Sequence, residues 1–281
     1  MDLKTFEKLV TRASAAERLV RYRRYKNGRV FCHACGHQKT YGLSEGHYRC
    51  GRCRHTFGLL TGIWLGQSKV ALATWLWLIK LFELEVTPHQ AAIQVGISYP
   101  TAWRVYTLIR RAILAGAEPA LLKREVEADE SYFGGRRKGK RGRAAAGKIP
   151  VFGILERCGR VSVTVVPDVK AKTLMEQTLR KVKRGSLVYT DKFGVYDALT
   201  FCGYRHLNVD HGKSFTRGRV HINGLEGFWS YAKTRLIKHH GVSPQRFPLY
   251  LYKMQFRYNN RKKDLFDLIL DTLVKPVPDL C

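Results

Sequence analysis

The chain has 281 residues, enough for one or two globular domains plus a small module, and its 45% hydrophobic content supplies a core and excludes long disorder. Fifty Lys and Arg against 22 Asp and Glu give a formal net charge of +28. That excess favours a polyanionic partner, nucleic acid before its competitor, an anionic membrane surface. No membrane span is expected, because the longest apolar run, Val70 to Ile79, is half the roughly 20 residues a spanning helix needs.

The N-terminus, "MDLKTFEKLV", opens with an acid and has no long apolar core, so it does not read as a secretory signal. Residues 18–29, "RLVRYRRYKNGR", hold six basic residues and two tyrosines. They lead into Cys32-x-x-Cys35, fourteen residues, and Cys50-x-x-Cys53. Each C-x-x-C makes a knuckle that points two thiolates at one tetrahedral ion, so the four cysteines predict an S4 Zn2+ ribbon. Gly36 and Gly51 fall where the knuckles turn sharply, and His33, His37, His47 and His55 stand nearby as substitute ligands. Cys158, Cys202 and Cys281 follow no pattern and read as structural thiols, which fits a reducing cytoplasm, beside the nucleoid in a bacterium. The basic segment and ribbon take residues 1–60.

Residues 61–118 read as helical and helix-turn-helix-like. A first helix over 68–83 has Ser68 as its cap. Thr87 and Pro88 open a second, Gly96 suits the turn, and Ser98 caps a third with Pro100 near its start. In a major groove that third helix would present Tyr99, Thr101 and Arg104. An ordinary helical hairpin explains the same pattern.

From residue 119 the period changes. Strands are expected at 123–133, 149–156 and 160–166, a helix at 170–182, a fourth strand at 186–191, a short strand at 204–209, and helices from 221 onward. A right-handed crossover would set the fourth strand parallel to the first. The glycine-rich connection 134–148 carries seven basic residues and no acid. Arg136, Arg137, Lys138, Lys140, Arg141 and Arg143 there are candidate phosphate contacts, or a solvated hairpin loop.

On this α/β plan Asp129 falls late in the first strand and Asp191 at the end of the fourth, so parallel neighbours would bring both to one end of the sheet. The helix "HINGLEGFWSYAKTRL" (221–236) gathers Leu225, Phe228, Trp229, Ala232 and Leu236 on one side and Asn223, Glu226, Ser230 and Lys233 on the adjoining side. Its aromatics would fix it to the sheet and present Glu226 to the aspartates. Three carboxylates in one place repel unless cations neutralise them, and Mg2+ or Mn2+ is the natural occupant. Two such ions serve phosphodiester displacement, with Lys233 beside the phosphate. Strand alternation sends Glu130 to the opposite face.

The stretches "ADESYFGG", "IPVFGILER", "YTDKFGVY", "HINGLEGFWSYAK" and "FRYNNR" resemble the insertion-sequence transposases with a DDE catalytic domain of the ISXO-two-like type, a family that also carries a zinc ribbon. The resemblance implies an RNase H-like catalytic domain over 119–281, with Asp129 and Asp191 as the first two metal ligands. In third place the family has either Asn or Glu followed by Lys, and Asn223 and Glu226 both stand here. Glu226 is preferred, being charged and seven residues before Lys233. The implied activity is metal-dependent cleavage and strand transfer at element ends, with DNA ends and target DNA as partners in a homo-oligomer. A zinc-ribbon DNA-binding regulator and an RNase H-like nuclease that cuts without joining are the alternatives.

Overall fold

The computed structural model describes residues 1–10, 13–25, 28–117, 121–134, 147–191, 199–209 and 221–278. The six basic candidates at positions 136–143 lie outside them. The chain divides into two compact units, Met1–Gly116 with Lys262–Cys281, and Ala117–Arg261.

In the first unit the N-terminal segment, legible in the sequence only as basic, forms α1 (Leu3–Val10) and α2 (Ala13–Arg24). Phe6 and Val10 on α1 and Ala16 and Val20 on α2 are buried. The ribbon follows as three short antiparallel strands, β1 (Thr40–Gly42), β2 (His47–Cys50) and β3 (Thr56–Gly58). α3 (Leu72–Glu83) starts later than its cap was expected, because the Ser68 Oγ accepts from the Val70 N–H at 3.3 Å while Ala71 occupies the capping position. α4 (Pro88–Val95) begins as expected, with Thr87 Oγ1 accepting from the Gln90 N–H, and ends at Gly96, which takes the left-handed φ of 66°. In α5 (Tyr99–Ala115) Ser98 holds the capping position, but its hydroxyl bonds the Thr101 hydroxyl at 2.9 Å instead of a helix N–H.

The second unit is a five-stranded mixed sheet with helices on both faces. β4 (Glu125–Phe133), β5 (Ile149–Glu156) and β6 (Val161–Val165) form an antiparallel meander. α6 (Ala171–Lys181) crosses over to β7 (Leu187–Asp191), which pairs parallel with β4, and β8 (Arg205–Val209) adds parallel to β7. The order is therefore β6-β5-β4-β7-β8. Val126, Ala128, Phe152, Ile154 and Val188 pack on the α6 side with Leu174. The other face receives α7 (Asn223–Ile237) and α8 (Phe247–Asn259), where Phe133, Val151, Leu155 and Val163 meet Leu225, Phe228, Trp229, Leu251 and Met254.

β6 ends the sheet, and α8 satisfies its outer edge. Asn259 accepts from the Val161 N–H at 2.8 Å and donates to the Val161 carbonyl at 2.9 Å, and Gln255 accepts from the Val163 N–H at 2.8 Å. The amides stand in for a neighbouring strand at Val161 and at the Val163 N–H.

The last helix, α9 (Leu265–Leu273), was read with the catalytic segment 119–281 but packs in the first unit. Phe266, Ile269, Leu270 and Leu273 are its buried stripe, with the Phe266 ring 5.3 Å from that of Phe6. Arg23 on α2 reaches Asp267 at 2.6 Å and Asp271 at 3.1 Å on its polar side.

Candidate active site and metal centre

The ribbon's two knuckles repeat one backbone pattern. Cys32 N donates to the His37 carbonyl and Cys50 N to that of His55, at 2.9 Å each. The left-handed residue after each pair is Gly36 in the first and Arg54 in the second. Gly51, expected at such a turn, has no positive φ; a Cβ there would come 3.2 Å from the Lys39 carbonyl oxygen, so it serves close approach. The Sγ atoms of Cys32, Cys35, Cys50 and Cys53 lie within 4.8 Å of one another, with Cys32–Cys53 and Cys35–Cys50 at 3.6 Å. A tetrahedron of bonds near 2.3 Å has edges of about 3.8 Å, so the four sulfurs fit a zinc ion. Burial works against the Cys50 thiolate, but the Cys53 and Arg52 N–H groups turned to its sulfur bring its pKa down to about 6.

In the second unit, alternation along β4 sends Glu125, Glu127, Asp129, Ser131 and Phe133 toward α7. The parallel register pairs Glu127 with Tyr189. Two residues further along, Asp191 ends β7, whereas Asp129, expected late in its strand, lies in the middle of β4 with four more residues of strand beyond it, and the Asp191 charge is felt at Asp129. α7 runs along β4 in the same direction. Glu127 meets the Leu225 N–H at 2.8 Å, Asp129 accepts from Trp229 Nε1 at 3.0 Å, and Phe133 lies under the Lys233 ammonium, 5.6 Å from it. Glu226, exposed, falls between the levels of Glu127 and Asp129, and Asn223 is exposed at the helix start.

Room for this docking comes from glycine. Gly153 stands opposite Asp129 in the register, and a Cβ there would lie 2.5 Å from Trp229 Cζ2. The indole occupies that space and delivers its N–H to the carboxylate. Burial, aided by the charges of Glu130 and Asp191, pushes the Asp129 pKa up to about 7 against the pull of the Trp229 bond. Burial lowers the Lys233 pKa while the Asp129 charge raises it. Asp129, Asp191 and Lys233 thus share one electrostatic neighbourhood. Among the described residues the four cysteines are the group close enough to hold a metal, and Asp129, Asp191 and Glu226 do not form a second one.

Thr101 is half-buried and Arg104 exposed on α5, where Arg104 Nη2 donates to the Gln67 carbonyl at 3.2 Å.

Two residues of this neighbourhood escape a sequence reading, Glu127 and Arg157. Glu127 is 1% exposed, and acids in strands usually read as surface. Arg157 Nε donates to Glu127 Oε1 at 3.3 Å, Nη1 to Glu125 Oε2 at 3.1 Å and Nη2 to the His221 carbonyl at 2.6 Å. Its guanidinium lies 3.7 Å from the Tyr189 ring centroid.

Among the described residues no helix is long and apolar enough to cross a membrane. Residues 121–259 match the family model described as the ISXO2-like transposase domain. An "uncharacterized protein in transposable element ISH50" of Halobacterium salinarum is 30% identical, covering 97% of this chain and 99% of its own length. An "uncharacterized transposase-like protein" of Haemophilus influenzae is 38% identical over 116 residues, 41% of this chain and 94% of its own length. A chain of the Mos1 strand transfer complex is 13% identical over 70% of this chain and 73% of that one, with a TM-score of 0.28, a likeness too loose to bear on fold or site. The near full-length relative and the domain match together place the chain in the ISXO2-like transposase family.

Proposed function

We propose that the chain is the DNA transposase of an insertion sequence, cutting element ends and joining them to target DNA by a metal-dependent DDE mechanism. The observation that carries the chemistry is that Asp129, on β4, and Asp191, ending the adjacent parallel β7, feel each other's charge, with α7 docked beside Asp129 through the Trp229 bond. Glu226 on that helix is the third ligand in this reading, with Asn223 as the alternative. The meander, crossover and parallel fourth strand support an RNase H-like assignment of the second unit.

Asp129, Asp191 and Glu226 would hold Mg2+ or Mn2+, whose positive charge would supply Lewis-acid assistance to phosphodiester displacement. Lys233 would hold a phosphate of the strand being cut. A water attacks the phosphodiester first; the freed 3′ hydroxyl then attacks target DNA, each step breaking one P–O bond as it forms another. Zn2+ in the ribbon and a helix-turn-helix formed by α4 and α5, with Thr101 and Arg104 toward DNA, would recognise the ends. Arg136, Arg137, Lys138, Lys140, Arg141 and Arg143 would add backbone contacts. Two ends must be joined, so the working form would be a homo-oligomer.

The test uses duplex DNA from the gene's own flanks with Mg2+, comparing wild type with Asp191→Asn. Cutting and joining, both abolished in the variant, support the proposal. Cutting without joining makes the chain a nuclease, and undiminished binding with no cutting, in Mn2+ as well, makes it a DNA-binding regulator.

A further inference from the structure

We infer that Glu127 and Arg157 are positioning residues that set where α7 begins along β4, and through that setting the reach of Glu226 toward the two aspartates. The inference rests on the reading of Glu226 as a metal ligand.

The first turn of a helix leaves its N–H groups without intrahelical partners, and a local side chain normally accepts from one of them. α7 lacks that device. Its capping position is held by Ile222, buried against Tyr189, and no side chain there bonds the helix. The side-chain acceptor comes from the sheet instead, since Glu127 Oε2 takes the Leu225 N–H at 2.8 Å across 98 residues of sequence, sharing it with the Ile222 carbonyl at 3.0 Å. The carboxylate also meets the positive end of the helix dipole.

Arg157 holds the same turn by its other pole. Its Nη2 grips the His221 carbonyl just ahead of the helix, while Nε and Nη1 bind Glu127 and Glu125 on β4. Tyr189 underlies the guanidinium and donates its hydroxyl to Glu125 Oε2 at 2.8 Å. β4, β7 and the start of α7 are thereby tied through one planar cation that offers three separate donors in a fixed fork, which a lysine lacks. A buried acid paired with a half-buried arginine is a poor source of net stability compared with apolar packing, so their placement points to specification of geometry.

Glu226 lies one residue beyond the N–H that Glu127 holds. An error in the helix start is therefore delivered to Glu226 almost undiminished. Trp229, one turn further on, is pinned separately by Asp129. Gly224 supplies the clearance: a Cβ on it would stand 2.9 Å from Glu127 Oε2.

Gly224→Ala tests this without deleting a charge. Alanine favours the helix, while its methyl group pushes the end of the Glu127 side chain off Leu225. Glu127→Gln and Arg157→Lys are made alongside, with Glu226→Gln as the control, and each chain is assayed for melting temperature, affinity for the flanking duplex, and cutting rate against Mn2+ concentration. The expected result for Gly224→Ala is a near-wild-type melting temperature and DNA affinity, cutting slower by about 10- to 100-fold, and a higher Mn2+ concentration for half-maximal rate. Glu127→Gln and Arg157→Lys should show the same rise in Mn2+ requirement. An unchanged rate and Mn2+ dependence in Gly224→Ala overturns the inference. So does a slower rate that tracks lost DNA affinity or melting temperature with the Mn2+ midpoint unmoved. A Glu226→Gln chain that cuts like wild type removes the ligand reading itself, a result separable from the other two.

Discussion

Burial and the charges of Glu130 and Asp191 hold the Asp129 proton to about pH 7, so the folded chain keeps it where an unfolded chain, titrating at the usual 3.8, has lost it. Stability contributed by the neutral acid is complete below pH 3.8 and is lost as pH rises through about 7. Three pKa units correspond to on the order of 4 kcal/mol. Asp129→Asn, which keeps an acceptor for Trp229, should therefore raise unfolding free energy in metal-free buffer at pH 8 and leave it little changed at pH 4; urea titrations at the two values check this. Gly153→Ala is expected to cost about 1–3 kcal/mol, because its methyl group must displace the Trp229 ring, with the urea midpoint falling at unchanged slope. Asp191 stands out in the sequence because a short acid ends the apolar strand β7, whereas Asp129 lies inside a strand that already carries Glu125, Glu127 and Glu130. Glu127 and Arg157 were not legible, since nothing local distinguishes an acid that caps a helix 98 residues away from one that faces solvent.

At the level of elements, alternation read β4, apolar runs bounded by turns read most of the other strands of the sheet, and the 3.6-residue period read α7, whose apolar side packs as its sequence predicts. The first helix of the central helical region was displaced because Ser68 caps a bend rather than a helix. "FRYNNR" carried a family resemblance but no chemistry in the sequence; its Asn259 closes the edge of β6. Asn259→Ala leaves the Val161 N–H and carbonyl without those partners and should cost about 1–3 kcal/mol, with Asn259→Asp recovering part because it still accepts. Chemical denaturation of the three chains decides it.

Across the whole molecule, the assignment of α9 to the first unit was beyond local reading, since its stripe of Phe266, Ile269, Leu270 and Leu273 fits any apolar partner. The charge of +28 was legible at once, and it predicts how the chain meets DNA. If six to ten phosphates are neutralised, affinity for duplex should fall by about 10³–10⁵ between 50 and 200 mM salt. Asp191→Asn should show the same slope, since it touches the chemistry and not the backbone contacts; anisotropy titrations across salt measure both, and a flat response would refute the polyanion reading. The central proposal is that Asp129, Asp191 and Glu226, which do not form a metal-holding group in this structure, would close around one cation when it binds. It is tested most directly by loading the chain with Fe2+, generating hydroxyl radicals with peroxide and ascorbate, and mapping where the backbone is cut. The account predicts cuts beside Asp129, Asp191 and the start of α7, suppressed by Mg2+. Cuts confined to the ribbon, or cuts at these positions that Mg2+ leaves untouched, would contradict it.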